Sequence, residues 1–119
     1  MKKKFFILVL FVAMLGLSSC GDMFKNSYPI LYVVNSSDYS VNVYCDNHPV
    51  ASVSAHNNSG KVDLDNVSIN LPVYVEAIFY DSKGKKVGGY NWSSRYFRWN
   101  KSYKMTLTNS SSSSSLVEL

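Results

Sequence analysis

The chain has 119 residues, twelve basic and eight acidic, for a formal charge of +4. Three of those cations are Lys2, Lys3 and Lys4, so the remainder holds nine basic residues against eight acidic ones, a charge of +1. A body that close to neutral gives no grounds for a nucleic-acid partner, and about a hundred residues behind the leading segment make one domain and not two.

In chain order, Met1-Lys2-Lys3-Lys4 is followed by an apolar run from Phe5 to Leu17 and then by Ser18-Ser19-Cys20-Gly21-Asp22. Cations, an apolar core and small residues are the profile of a secretory signal. As a helix rising ~1.5 Å per residue the run would cover roughly 20 Å, short of the ~30 Å hydrocarbon core, which argues against a retained spanning helix.

Leu17-Ser18-Ser19-Cys20 resembles the lipobox of bacterial lipoproteins, an aliphatic residue and two small ones before a cysteine. The resemblance implies that Cys20 takes a diacylglycerol as a thioether and that the cut falls between Ser19 and Cys20. It also implies attachment to a membrane of the cell envelope by two or three acyl chains. One chain holds a protein only marginally, but two or more make the attachment effectively permanent. Gly21 follows, not the aspartate that retains many enteric lipoproteins in the inner membrane, so the outer membrane is the expected location. The alternative is ordinary secretion with cleavage after Ser18, which leaves Cys20 and Cys45 free to pair.

Residues 20–28 read as a lipidated tether behind a signal peptide of residues 1–19. From Pro29 the pattern is strand throughout. Pro29 to Asn35 holds Ile-Leu-Tyr-Val-Val, Asn35-Ser36-Ser37-Asp38 is a turn cluster, and Tyr39 to Asp46 alternates with Val41, Val43 and Cys45 on one face. That parity makes Cys45 a buried, inert thiol. Asp46-Asn47-His48-Pro49 turns into a short strand from Val50 to Val53, and residues 55–60 form a loop. Lys61 to Asp65 alternates, and after Asn66 Val67, Ile69 and Leu71 share a side before Pro72 marks an edge or bend.

Val73 to Asp81 is the longest apolar strand and the expected centre of its sheet, with Val73, Val75, Ala77 and Phe79 on one face. Asp81-Ser82-Lys83-Gly84 suits a hairpin loop with glycine in the left-handed position. The return strand runs from Lys85 to about Trp92, with Gly88-Gly89 marking a bulge or a close backbone contact. The last strand, Ser102 to Thr108, points Tyr103, Met105 and Leu107 inward. About seven short strands without helical periodicity predict an all-β, antiparallel immunoglobulin-like sandwich over residues 29–109. The serine run opening residues 110–119 predicts a flexible tail.

The segment from Asn35 through Val53, with Val43-Tyr44-Cys45-Asp46-Asn47 at its turn, resembles the opening hairpin of PEGA-like and immunoglobulin-like modules of small bacterial surface lipoproteins. The resemblance implies the same sandwich and does not by itself imply a ligand.

Catalytic groups do not assemble in the sequence. His48 and His56 sit in polar loops, and Gly-x-Ser-x-Gly, His-Glu-x-x-His and glycine-rich phosphate motifs are missing, so no enzyme and no cofactor is expected. Asp63-Leu64-Asp65-Asn66 alternates oxygens, but as a calcium loop it lacks the central glycine and has Tyr74 in place of the bidentate glutamate, so no metal is expected.

The dense feature is Tyr90-Asn91-Trp92-Ser93-Ser94-Arg95-Tyr96-Phe97-Arg98-Trp99-Asn100-Lys101-Ser102-Tyr103, six aromatics and three cations without an acid. Tyr90, Trp92, Arg95, Tyr96, Arg98 and Trp99 are the candidate ligand surface, suited to a glycan, a peptide or anionic lipid headgroups. The competing reading is that these rings fill the core. Charge is also uneven along the chain: residues 20–81 carry two cations and seven acids, residues 82–119 seven cations and one acid. Pairing between the two halves across neighbouring strands would reconcile them. The expected function is a non-enzymatic, lipid-anchored sandwich that binds or scaffolds at the envelope, with an accessory subunit of a larger outer-membrane complex as the alternative.

Overall fold

The computed structural model describes residues 26–110 and 113–119, and the signal segment and Cys20 lie outside them. Eight strands form two four-stranded sheets: β1 (Ile30–Asn35), β2 (Ser40–Cys45), β3 (His48–Val53), β4 (Asn58–Asp63), β5 (Pro72–Tyr80), β6 (Lys86–Tyr96), β7 (Ser102–Leu107) and β8 (Ser115–Glu118). One sheet has the order β4-β1-β7-β8 and the other β3-β2-β5-β6. The fold is an all-β sandwich, antiparallel except where β1 lies parallel to β7, Ile30 beside Ser102 through Asn35 beside Leu107.

Period-two alternation builds the core. Leu31 and Val33 of β1, with Tyr103, Met105 and Leu107 of β7, face Val41, Val43 and Cys45 of β2 and Val73, Val75, Ala77 and Phe79 of β5. Burying side chains of this size is worth ~1.5–3 kcal/mol each, which commits each strand to one register because a one-residue slip would turn the whole set to water. β5 lies between β2 and β6, the interior place its apolar length predicted.

Turn chemistry closes the strands. In the β5–β6 hairpin Gly84 has φ 78°, and the Asp81 Oδ1 accepts from the amides of Lys83 and Lys85 at 2.9 Å each. Gly60, φ 73°, sits in a bulge of β4, where Ser59 and Gly60 span the gap between the pairs Tyr32 with Lys61 and Val34 with Asn58. A side chain there would meet the left-handed penalty that glycine escapes. That bulge lets β4 begin at Asn58, inside the stretch expected to be loop.

Two expectations fail. Residues 67–71 make no strand: Val67 is buried, Ile69 forms one isolated bridge to Phe97, and Leu71 is exposed. The sandwich also does not end near Asn109 with a flexible tail over residues 110–119, because Ser115–Glu118 pair with β7, Leu116 opposite Met105. Leu116 is buried, and the Leu119 amide donates to the Ser102 carbonyl at 2.8 Å. One buried apolar residue, Leu116, with a backbone ladder to β7 suffices for an edge strand when a core is already waiting to be covered.

The charge halves also do not pair. Among the described residues the ion pairs are His56 with Asp38 and Arg98 with Glu118, each within its own half. Where strands of the two halves do lie side by side, β1 with β7 and β5 with β6, the charged residues meet uncharged partners, Lys104 beside Tyr32, Glu76 opposite Asn91 and Lys86 opposite Tyr80. Strands β3 and β4, from the acidic half, form one side of the sandwich, while β6 and β8, from the basic half, form the other.

Candidate functional site

The aromatic-cationic segment divides between core and surface. Trp92, paired with Val75, is 7% exposed and meets Tyr90 edge-on with ring centroids 4.7 Å apart. Tyr90 is half-buried against the same core. Phe97 and Tyr103 are buried and T-shaped at 4.9 Å. Trp92 therefore leaves the candidate surface and Tyr90 reaches it only in part, because an edge strand still sends every second ring inward.

The rest of the segment gathers at one end of the sandwich. β6 is registered Trp92 to Val75 but Arg95 to Val73, so Ser93 and Ser94 together oppose Tyr74 as a bulge. Two residues against one flips the parity of the strand beyond them. Arg95 consequently lies on the face of the sheet that Val73 occupies, at the open rim between the two sheets. There Ser94, Arg95, Tyr96, Arg98, Tyr103 and Glu118 line a groove of about 340 Å³ with Leu116 and Phe97 behind them.

The groove is held by a short polar network. The Arg98 backbone amide donates to the Tyr103 hydroxyl at 2.9 Å, and that hydroxyl donates to Glu118 Oε1 at 3.3 Å. The Arg98 guanidinium donates to Glu118 Oε2 at 3.2 Å. Glu118 thus offsets Arg98, whereas Arg95 has no ion pair among the described residues.

Below the groove the chain's first described residues are clamped to the β6–β7 loop. The Ser27 amide donates to Asn100 Oδ1 at 2.8 Å, the Asn100 amide donates to the Ser27 carbonyl at 2.8 Å, and the Asn100 side chain reaches Asn26 at 3.2 Å. Tyr28 packs on Trp99 with centroids 5.0 Å apart. Tyr96 is 55% exposed and Trp99 half-buried, so of the candidates Arg95, Tyr96, Arg98 and Trp99 come together. Tyr28, Leu71, Glu118 and Leu119 join them, although the sequence pattern puts Tyr28 in the tether and Glu118 in the tail.

Elsewhere the groups stay apart. His48 and His56 stand at opposite ends of β3, and among the described residues no three of His, Cys, Asp and Glu converge as a metal-holding group. A second hollow of about 610 Å³ lies on the acidic side between His48, Asp63 and Asp65, floored by Leu64 and Val67. At the far end Asp38 lies 2.7 Å from His56 Nε2 and accepts from the Asn109 side chain at 2.8 Å. These bonds, Asn109's first and His56's second, hold its carboxyl below the usual range. Cys45 is buried, and loss of hydration with the nearby Asp46 charge pushes its thiol up to about 12. No helix among the described residues is long and apolar enough to cross a membrane. Compared with known proteins, the sequence matches no family model and no curated protein.

Proposed function

We propose that the chain is a lipid-anchored protein of the bacterial outer membrane, a non-enzymatic sandwich that binds or scaffolds through the end bearing Arg95, Tyr96, Arg98 and Trp99. The observation that carries the reading is Leu17-Ser18-Ser19-Cys20 behind a charged and apolar leader, ten residues before β1 begins. Burial of Cys45 supports it, because a thiol turned into the core between the two sheets offers no route to a disulfide with Cys20. The lipobox resemblance then accounts for Cys20 standing at the boundary of the leader.

The accessory-subunit reading would use β6, an eleven-residue strand at the open edge of its sheet. That edge is interrupted by register shifts at both ends, and Arg95 places an exposed charge at its rim. Both features work against strand addition by another chain. The anchored binding sandwich is therefore the better supported of the two. Membrane fractionation of cells making the native chain or Cys20→Ala tests it. The native chain is expected in the membrane fraction and the variant as an uncleaved precursor, whereas equal release of both into the soluble fraction would remove the reading.

A further inference from the structure

If Cys20 carries lipid, the six residue steps from Cys20 to Asn26 reach at most about 20 Å even when fully extended. The domain therefore cannot stand far off the bilayer, and its clamped end at Ser27 and Asn100 must face it. That same end holds four exposed apolar residues, Tyr28, Leu71, Tyr96 and Leu119, beside the half-buried Trp99. Backbone hydrogen bonds fix their common location: the Asn70 amide donates to the Phe97 carbonyl, that of Ile30 to Lys101 and that of Leu119 to Ser102. Aromatic rings and cations at one level are what a membrane interface selects.

We propose that the ligand of this end is the bilayer itself, with Tyr28, Tyr96, Trp99 and Leu119 in the headgroup layer and Arg95, Arg98 and Lys101 against anionic lipid phosphates. The proposal rests on the lipid-anchored reading and deepens it. Charge decides how the domain lies. The β6–β8 side of this end carries three cations against Glu118, while the β3–β4 side carries Asp46, Asp63 and Asp65. An anionic surface draws the first side down and repels the second, so the sandwich tilts onto the groove and lifts the acidic hollow into water. Lys83, Lys85 and Lys86 lie at the other end of β6, roughly 33 Å away at ~3.3 Å per residue, several screening lengths from the surface.

Trp99 is the reporter, because the other tryptophan is in the core. The lipidated chain, extracted from membranes and its mass at Cys20 recorded, is reconstituted into vesicles of brominated phosphatidylcholine with about one third phosphatidylglycerol. Emission is expected to fall roughly two-fold against unbrominated vesicles, and the fall to vanish in Trp99→Phe. Arg95→Gln/Arg98→Gln/Lys101→Gln should lose the quenching, and Lys83→Gln/Lys85→Gln/Lys86→Gln should keep it. Unquenched Trp99 in a chain whose mass shows the lipid, or quenching that the first triple variant keeps, overturns the proposal alone. A chain without lipid overturns the anchored reading and this proposal with it.

Discussion

Asn35 ties the two sheets together at the end opposite the clamp of Ser27 to Asn100. Its side-chain amide nitrogen lies 2.8 Å from the Tyr39 carbonyl, 3.2 Å from that of Val53 and 3.1 Å from that of Ser54. Its Oδ1 accepts from the Ser37 amide at 3.0 Å and hydroxyl at 2.6 Å. Both side chains are buried, so removing one strands the carbonyls and the hydroxyl that faced it. Asn35→Ala is expected to cost about 2–4 kcal/mol in urea unfolding, and Asn35→Asp more, since it aims a buried carboxylate at three carbonyls. At Cys45 burial predicts chemistry: the native thiol stays unmodified by a disulfide reagent at neutral pH and reacts at once in denaturant. At Asp38 the carboxylate is favoured by folding, so its contribution is complete above the ordinary value of 3.8 and lost as pH falls through its lower folded value. Urea midpoints of the native chain and Asp38→Asn should therefore differ slightly near about pH 6 and converge near about pH 2.

Among the elements, β8 has the clearest consequence. Leu116 covers Met105 at the rim of the core, and Leu116→Ala should cost about 2–4 kcal/mol, while truncation after Asn109 should lower the melting temperature by more than that single change. A truncation without effect on the melt would return residues 110–119 to the status of a tail. Strands are legible where alternation runs for six residues or more, as in β2 and β5, and the parity of Val41 and Val43 locates Cys45 correctly. β8 is hidden because four residues behind a serine run carry too little pattern to separate strand from linker. The facing of Arg95 is hidden for a different reason. A two-residue bulge changes parity at Ser93-Ser94, where neither glycine nor proline announces it, whereas Gly88-Gly89 does mark the other irregularity of β6, the extra residue Val87 between the pairs Phe79 with Gly88 and Tyr80 with Lys86. The candidate surface is half visible for the same reason that Trp92 is buried: composition shows that rings and cations are close in sequence, and only packing decides which rings face water.

At the scale of the whole molecule, sequence charge becomes geometry. The strand orders place the first, acidic part of the chain on one side of the sandwich and the basic part on the other, and the chain enters between them at Asn26. On the proposed anchor at Cys20, a small domain so divided would have its orientation limited by about 20 Å of tether and biased by charge. With that anchor in place, salt should loosen the orientation without releasing the protein, because the proposed acyl chains and not the arginines would hold it there. All of this depends on Cys20. The mass of the mature chain extracted from membranes tests it most directly: the expected spectrum shows an N-terminus at Cys20 carrying diacylglycerol, and an unmodified N-terminus at Ser19 would contradict it.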